Sequence, residues 1–153
     1  MTEPLIILPE DRQWLERRIA ELEQSIKDLG PEFHEVLNQS SETWHDNAPF
    51  DAVREKQDLL VAERMQLKSI LDQSLLKVPV RQPNVVAVGS IITLQKATHT
   101  NRILIAGDWS PRSGKIVGEV LVVSRKSPIA QAVLGKSVGD QTDFGKITAI
   151  NED

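Results

Sequence analysis

A chain of 153 residues and 17.1 kDa holds one ordinary domain or two small ones and excludes a large multidomain enzyme. With 40% hydrophobic and 26% charged residues it should pack, and with no cysteine it has no disulfide, thiolate metal site or cysteine nucleophile, as suits a reducing compartment. The net charge of -4 is split unevenly, residues 1–77 holding 16 Asp/Glu against 9 Lys/Arg and residues 78–153 holding 6 against 9, so the two halves are chemically different units.

Pro9-Glu10-Asp11 read as a first helical turn with acids at its positive end. Leu15, Ile19, Leu22, Ile26 and Leu29 follow at alternating steps of four and three, a coiled-coil seam. Gly30-Pro31 should kink or interrupt this helix; Phe33, Val36 and Leu37 resume the stripe, and the helix ends near Gln39. Residues 40–49 are rich in capping and turn formers and read as a connection. A second helix is predicted from about Pro49 to Leu76, with Val53, Leu60, Leu67, Leu71 and Leu75 on one face and Gln57 and Arg64 as polar interruptions. Folding one helix back on the other pairs Leu15 with Leu75, Ile19 with Leu71, Leu22 with Leu67, Leu29 with Leu60, and Val36 or Leu37 with Val53. That constant register predicts an antiparallel helical hairpin over residues 1–77, an arm of about 40 to 45 Å with its tip near 40–49.

Residues 78–84, with Pro79 and Pro83, read as a short stiff linker. Beyond it, β-branched runs at Val85 to Val88, Ile91 to Leu94, Ile103 to Ala106, Ile116 to Val123 and Ile147 to Ile150 predict strands. One short helix is marked by Ser127 as N-cap, Pro128 at its first position, Ile129 to Leu134 as its body and Gly135 past its end. Residues 85–153 should therefore fold as a small antiparallel sheet with one helix, and the whole chain falls in the α+β class.

Motifs for phosphate loops, serine nucleophiles and zinc proteases are absent, and the histidines His34, His45 and His99 are scattered. No apolar run approaches the roughly 20 residues of a membrane span, and the first residues lack the basic and apolar regions of a signal peptide. A cytoplasmic protein without membrane contacts is expected. Between Asp28 and Val53 the charged residues are Asp28, Glu32, Glu35, Glu42, Asp46 and Asp51, with no Lys or Arg. Such a window attracts a cation or a basic surface. At its centre lies the tip, Glu42-Thr43-Trp44-His45-Asp46-Asn47. Glu42 and Asp46 can share a Mg²⁺ ion, which takes oxygen ligands and often only one or two protein carboxylates. A solvated turn in which Asp46 or Asn47 caps the second helix uses the same residues.

Val88-Gly89-Ser90-Ile91-Ile92-Thr93-Leu94, and then the Ser124 to Asp140 stretch with its Ser-x-x-Ser-Pro-Ile-Ala, Leu-Gly-Lys and Val-Gly-Asp, resemble the carboxyl-terminal domain of the Gre family of bacterial transcript-cleavage and transcription elongation factors. Pro31-Glu32 and the run Asp46 to Gln57 resemble the amino-terminal half of the same family, so the likeness covers nearly the whole chain. It implies a long coiled-coil hairpin followed by a small FKBP-like domain. It also implies RNA polymerase as partner, bound by the globular domain through Ser124, Ser127, Pro128, Ile129, Gly135, Lys136, Gly139 and Asp140. The coiled coil would enter the polymerase's secondary channel and its tip acids, Glu42 and Asp46, would help hold Mg²⁺ for cleavage of backtracked RNA, with Thr43, Trp44, His45 and Asn47 as tip contacts.

On this reading the chain is an accessory factor and not an enzyme. It is expected to be a monomer, to bind no cofactor in isolation, to share Mg²⁺ only in the polymerase complex, and to reach the RNA 3′ end indirectly and DNA only through the complex. The family's tip reads Asp-x-x-Glu-Asn-Ala, and here Thr43 stands at the Asp and Asp46 at the Glu, unless a longer connection lets Glu42 substitute. A non-cleaving relative that occupies the channel and inhibits or modulates transcription is therefore the alternative. Prolyl isomerase activity, which an FKBP-like domain raises, needs an aromatic lining, and residues 78–153 offer only Trp109 and Phe144.

Overall fold

A computed structural model describes residues 3–40, 48–75 and 82–152. The chain forms two compact units, Gln13–Asp72 and the combination of Met1–Arg12 with Gln73–Asp153.

The first unit is made by α1 (Pro9–Ser40), from Gln13 on, and α2 (Ala48–Asp72). The seam on α1 forms as its spacing predicts: Leu15, Ile19, Leu22 and Leu29 are buried, and on α2 Leu67 is buried while Val53, Leu60 and Leu71 are half-buried. The pairing is antiparallel. Arg18 reaches Glu63 at 3.1 Å, Glu23 meets Arg64 at 3.1 Å, Glu32 meets Lys56 at 3.7 Å, and the Phe33 and Phe50 rings stand edge to face at 5.7 Å. Arg64, a polar interruption in the sequence pattern, is thus half-buried and ion-paired across the helices. The two-oxygen hydrogen bond from Arg18 to Glu63 holds the Arg18 guanidinium above its ordinary pKa.

Two expectations for this region need correcting. Gly30-Pro31 does not interrupt α1, which runs through Pro31 to Ser40, close to the predicted end near Gln39. An internal proline costs about 3 kcal/mol through its missing N–H and its clash with the preceding turn, but Leu29 is buried and Phe33 and Val36 half-buried on either side. The second correction concerns α2, which stops at Asp72 rather than Leu76. Gln73–Leu75 turn instead to the amino-terminal segment: the Leu5 N–H donates to the Gln73 carbonyl and the Leu75 N–H to the Leu5 carbonyl, both at 2.8 Å. Leu75 is 36% exposed and lies beyond the end of α2.

The second unit is a six-stranded sheet of β1 (Ser90–Lys96), β2 (His99–Ala106), β3 (Ile116–Val117), β4 (Val120–Ser124), β5 (Gln141–Thr142) and β6 (Gly145–Glu152), with α3 (Pro128–Val133) on one face. The strand order is β3-β4-β2-β1-β6-β5. Every neighbouring pair is antiparallel except β2 with β4, which run parallel, so the expected antiparallel sheet is mixed at that pair. The chain from Gly107 to Glu119 is long enough to carry β4 back to the start of β2, which a tight hairpin cannot do.

Two strand expectations are also revised. Ile116 to Val123 is a hairpin, broken where Gly118 and Glu119 both take positive φ, 55° and 66°, as a two-residue primed turn requires. Val85 to Val88 is not a strand. Val86 exchanges hydrogen bonds with the chain leaving α3, its N–H donating to the Lys136 carbonyl at 2.8 Å and its carbonyl accepting from Gly135 at 2.9 Å.

Residues alternate between two cores across the sheet. Ile92, Leu94, Ile103, Ile105 and Ile147 meet Ala130 and Val133 of α3 on one face, while Ile91, Leu104, Ala106 and Val122 meet Leu8 on the other. The segment Leu5 to Leu8 is therefore part of the sheet unit, although the sequence pattern assigns residues 1–77 to the hairpin. Its fit is close: a Cβ on Gly107 would lie 1.9 Å from the Ile6 carbonyl oxygen, so only glycine is accommodated there. Asp11, 1% exposed, receives the Arg112 Nε–H at 3.0 Å, and Glu10 lies 3.4 Å from the same guanidinium. No described helix is long and apolar enough to cross a membrane.

Candidate functional site

The tip residues Glu42, Thr43, Trp44, His45, Asp46 and Asn47 lie outside the described residues. The helices that lead to them carry the remaining acids of the acid-only window. Asp28 accepts from Gln24 at 2.9 Å, Glu32 pairs with Lys56, and Glu35 and Asp51 are exposed. Among the described residues no three His, Asp or Glu side chains form a metal-binding group.

The structure places the carboxyl-terminal candidates in one continuous stretch and sorts them by what they do. Ser124 ends β4, and its carbonyl accepts from the Ser127 hydroxyl at 2.7 Å and from the Ser127 N–H at 2.9 Å. The Ser127 oxygen in turn accepts from the Ala130 N–H at 3.3 Å, which caps α3, and Pro128 follows where its missing N–H is harmless. Ile129 packs against the α3 core. Gly135 leaves the helix at φ 80°. Gly139 sits at φ 96° and donates to the Ile147 carbonyl at 2.7 Å, and the Asp140 carboxylate accepts from the Ser137 N–H at 2.8 Å. Ser127, Ile129, Gly135, Gly139 and Asp140 therefore shape the backbone, while Lys126, Pro128, Lys136 and Val138 face solvent.

Sequence reasoning missed the group beneath this stretch. The Asp108 side chain, 3% exposed, accepts the Arg125 Nε–H at 2.7 Å through one oxygen and the Ile6 N–H at 2.7 Å through the other. Lys126 Nζ lies 3.5 Å from the first oxygen. The Ile6 carbonyl completes the link by accepting from the Asp108 N–H at 2.6 Å. Burial pushes the Asp108 carboxyl upward, but the Arg125 hydrogen bond, the Ile6 N–H and the charges of Arg125 and Lys126 outweigh it and hold the group below its ordinary value. A cavity of about 500 Å³ opens beside this cluster, with Ile6, Val86, Val88 and Leu134 as apolar wall and Arg125, Lys126 and Gln131 as polar wall. The available signal was a carboxylate two residues after the apolar run Ile103 to Ala106, in a Gly107-Asp108 pair whose ordinary reading is a turn.

A paired-helix unit and a mixed sheet whose Ser127-capped helix lies in the motif-rich stretch define a two-unit α+β protein. No family model matches the chain. Transcription elongation factor GreA of Metamycoplasma arthritidis (strain 158L3-1) is 35% identical over 115 residues, which cover 71% of this chain and 67% of that protein. The protein of the same name from Mesomycoplasma hyopneumoniae (strain 7448) is 29% identical over 102 residues, 64% of this chain and 59% of its own length. The chain belongs to the GreA family of transcription elongation factors. Among solved structures, the GreA factor homolog Gfh1 of Thermus thermophilus matches 97% of this chain and 99% of its own at 19% identity and a TM-score of 0.44. Thermus aquaticus Gfh1 matches 98% and 99% at 15% identity and a TM-score of 0.41.

Proposed function

We propose that this elongation factor binds RNA polymerase through the surface around Ser124 to Asp140, inserts its helical arm into the secondary channel and assists cleavage of backtracked RNA. The observation that carries the reading is the antiparallel pairing of α1 and α2, which joins an acid-only window to a stiff support. An arm of that kind delivers charge to a recessed site. Carboxylate oxygens are the ligand class that Mg²⁺ takes, and two carboxylates, Glu42 and Asp46, stand in the connection. When bound, the ion supplies charge stabilisation and an activated water in a two-metal displacement; the residues of this chain would hold and orient it, and the polymerase would carry the reaction. The chain is thus an accessory to the polymerase's own nuclease activity.

Thr43 supports a second reading, because the family's first tip carboxylate falls at that position. With one carboxylate fewer, the arm occupies the channel and slows nucleotide addition. A transcript-cleavage assay on stalled elongation complexes separates the two. Under the first reading the wild-type protein yields shortened transcripts, and Glu42→Gln or Asp46→Asn removes them. An inactive wild type, with large gain of cleavage in Thr43→Asp, establishes the second.

A further inference from the structure

We infer that Asp108 is a positioning residue for polymerase binding: its buried carboxylate clasps Arg125 with one oxygen and the amino-terminal segment at Ile6 with the other, and so fixes the loop that presents Lys126 and Pro128. The inference rests on the proposal that the Ser124 to Asp140 surface meets polymerase.

Three features support a clasp over an ordinary buried ion pair. Both oxygens are used, each on a different part of the chain, 17 and 102 residues away in sequence. The loop is short: Arg125 and Lys126 lie between the last residue of β4 and the N-cap of α3, so the Arg125 side chain, the Arg125 N–H to the Gly107 carbonyl at 3.4 Å and the Ser124–Ser127 turn together determine its course. The residues held by the clasp, Ile6 and Arg125, both line the 500 Å³ cavity as well. Without the carboxylate, two cations on adjacent residues face each other with no counter-charge, and like charges at that spacing repel. Lys126, 68% exposed on its side chain, is then free to leave the place from which it reaches a partner.

The test is a double-mutant cycle on the affinity of the full-length chain for core RNA polymerase, with thermal unfolding followed in parallel. Asp108→Asn should weaken binding about tenfold, the size expected for one charged hydrogen bond that orders a contact. In an Arg125→Gln background the same substitution should change affinity by less than about twofold, because the group it acts through is gone. Equal losses in both backgrounds would overturn the inference, since a general role in stability adds and does not cancel. Should Asp108→Asn fail to fold, Arg125→Lys serves alone: it keeps the charge and removes the Nε–H aimed at Asp108. Positioning then predicts weakened binding, and wild-type affinity overturns it. Lys126→Glu separates this inference from the reading beneath it. If Lys126→Glu weakens binding while Asp108→Asn does not, the clasp is wrong and the surface stands; if neither does, the surface itself is wrong.

Discussion

At the scale of single residues, the same kind of ion pair has different weight in different places. Arg112 serves Asp11, whose side chain is 2% exposed, whereas Arg64 and Glu23 remain 31% and 46% exposed. Removing Arg112 leaves a carboxylate buried with its partner gone, so Arg112→Ala should cost about 3 to 5 kcal/mol. Arg64→Ala should cost about 0.2 to 1 kcal/mol, because water replaces what the ion pair supplied. Chemical unfolding of both variants checks the contrast, and equal losses contradict it. Asp108 adds a pH dependence with a defined sign. Its carboxyl is held below the ordinary value of 3.8, so its contribution is fully present above that pH and is lost as pH falls through the lower folded-state value. The stability difference between wild type and Asp108→Asn should therefore be flat from pH 7 down to about 5 and should shrink below about 4.

At the scale of elements, burial decides which parts of the helical pattern matter. Leu22→Ala and Leu67→Ala remove buried seam side chains and should each cost about 2 to 5 kcal/mol. Leu75→Ala, at a position the heptad pattern weights equally, should cost less, about 1 kcal/mol, because the residue is 36% exposed and outside α2. Thermal denaturation of the three variants tests the distinction. The difference also shows what local pattern can and cannot convey. The seam and the α3 cap are legible because each is fixed by residues within a few turns: Leu15 to Leu29 by spacing, Ser127-Pro128 by capping chemistry. Val85 to Val88 has a strand's composition, but its partners are the carbonyl and N–H of Lys136 and Gly135, which no spacing announces. The parallel pairing of β2 with β4 and the docking of Leu8 under Val122 are equally remote in sequence. So is the clasp at Asp108. For the candidate surface, the motif located the stretch, while the structure separated residues that shape it from residues that face out.

At the scale of the whole molecule, the chain divides its charge as it divides its fold. The helical unit, residues 13–72, holds 13 Asp/Glu against 7 Lys/Arg, and the sheet unit holds 9 against 11, with Lys126 and Lys136 on the candidate polymerase surface. If that surface docks on an acidic partner, affinity should fall steeply as the Debye length contracts from about 10 Å at 0.1 M salt to about 3 Å at 1 M. Two variants, one altered in each unit, should then produce opposite phenotypes. Lys126→Glu should weaken binding and flatten its salt dependence, yet give wild-type cleavage once the factor is saturating, because the tip acids are untouched. Under the cleavage reading, Glu42→Gln combined with Asp46→Asn should leave affinity and salt dependence as in wild type and abolish cleavage at every concentration, since on that reading the carboxylates act on the reaction rather than on docking. Measuring affinity and cleavage on the same elongation complexes settles the matter. A tip variant that loses both together would mean that the acids contribute to docking, and the separation of binding from cleavage assistance between the two units would have to be abandoned.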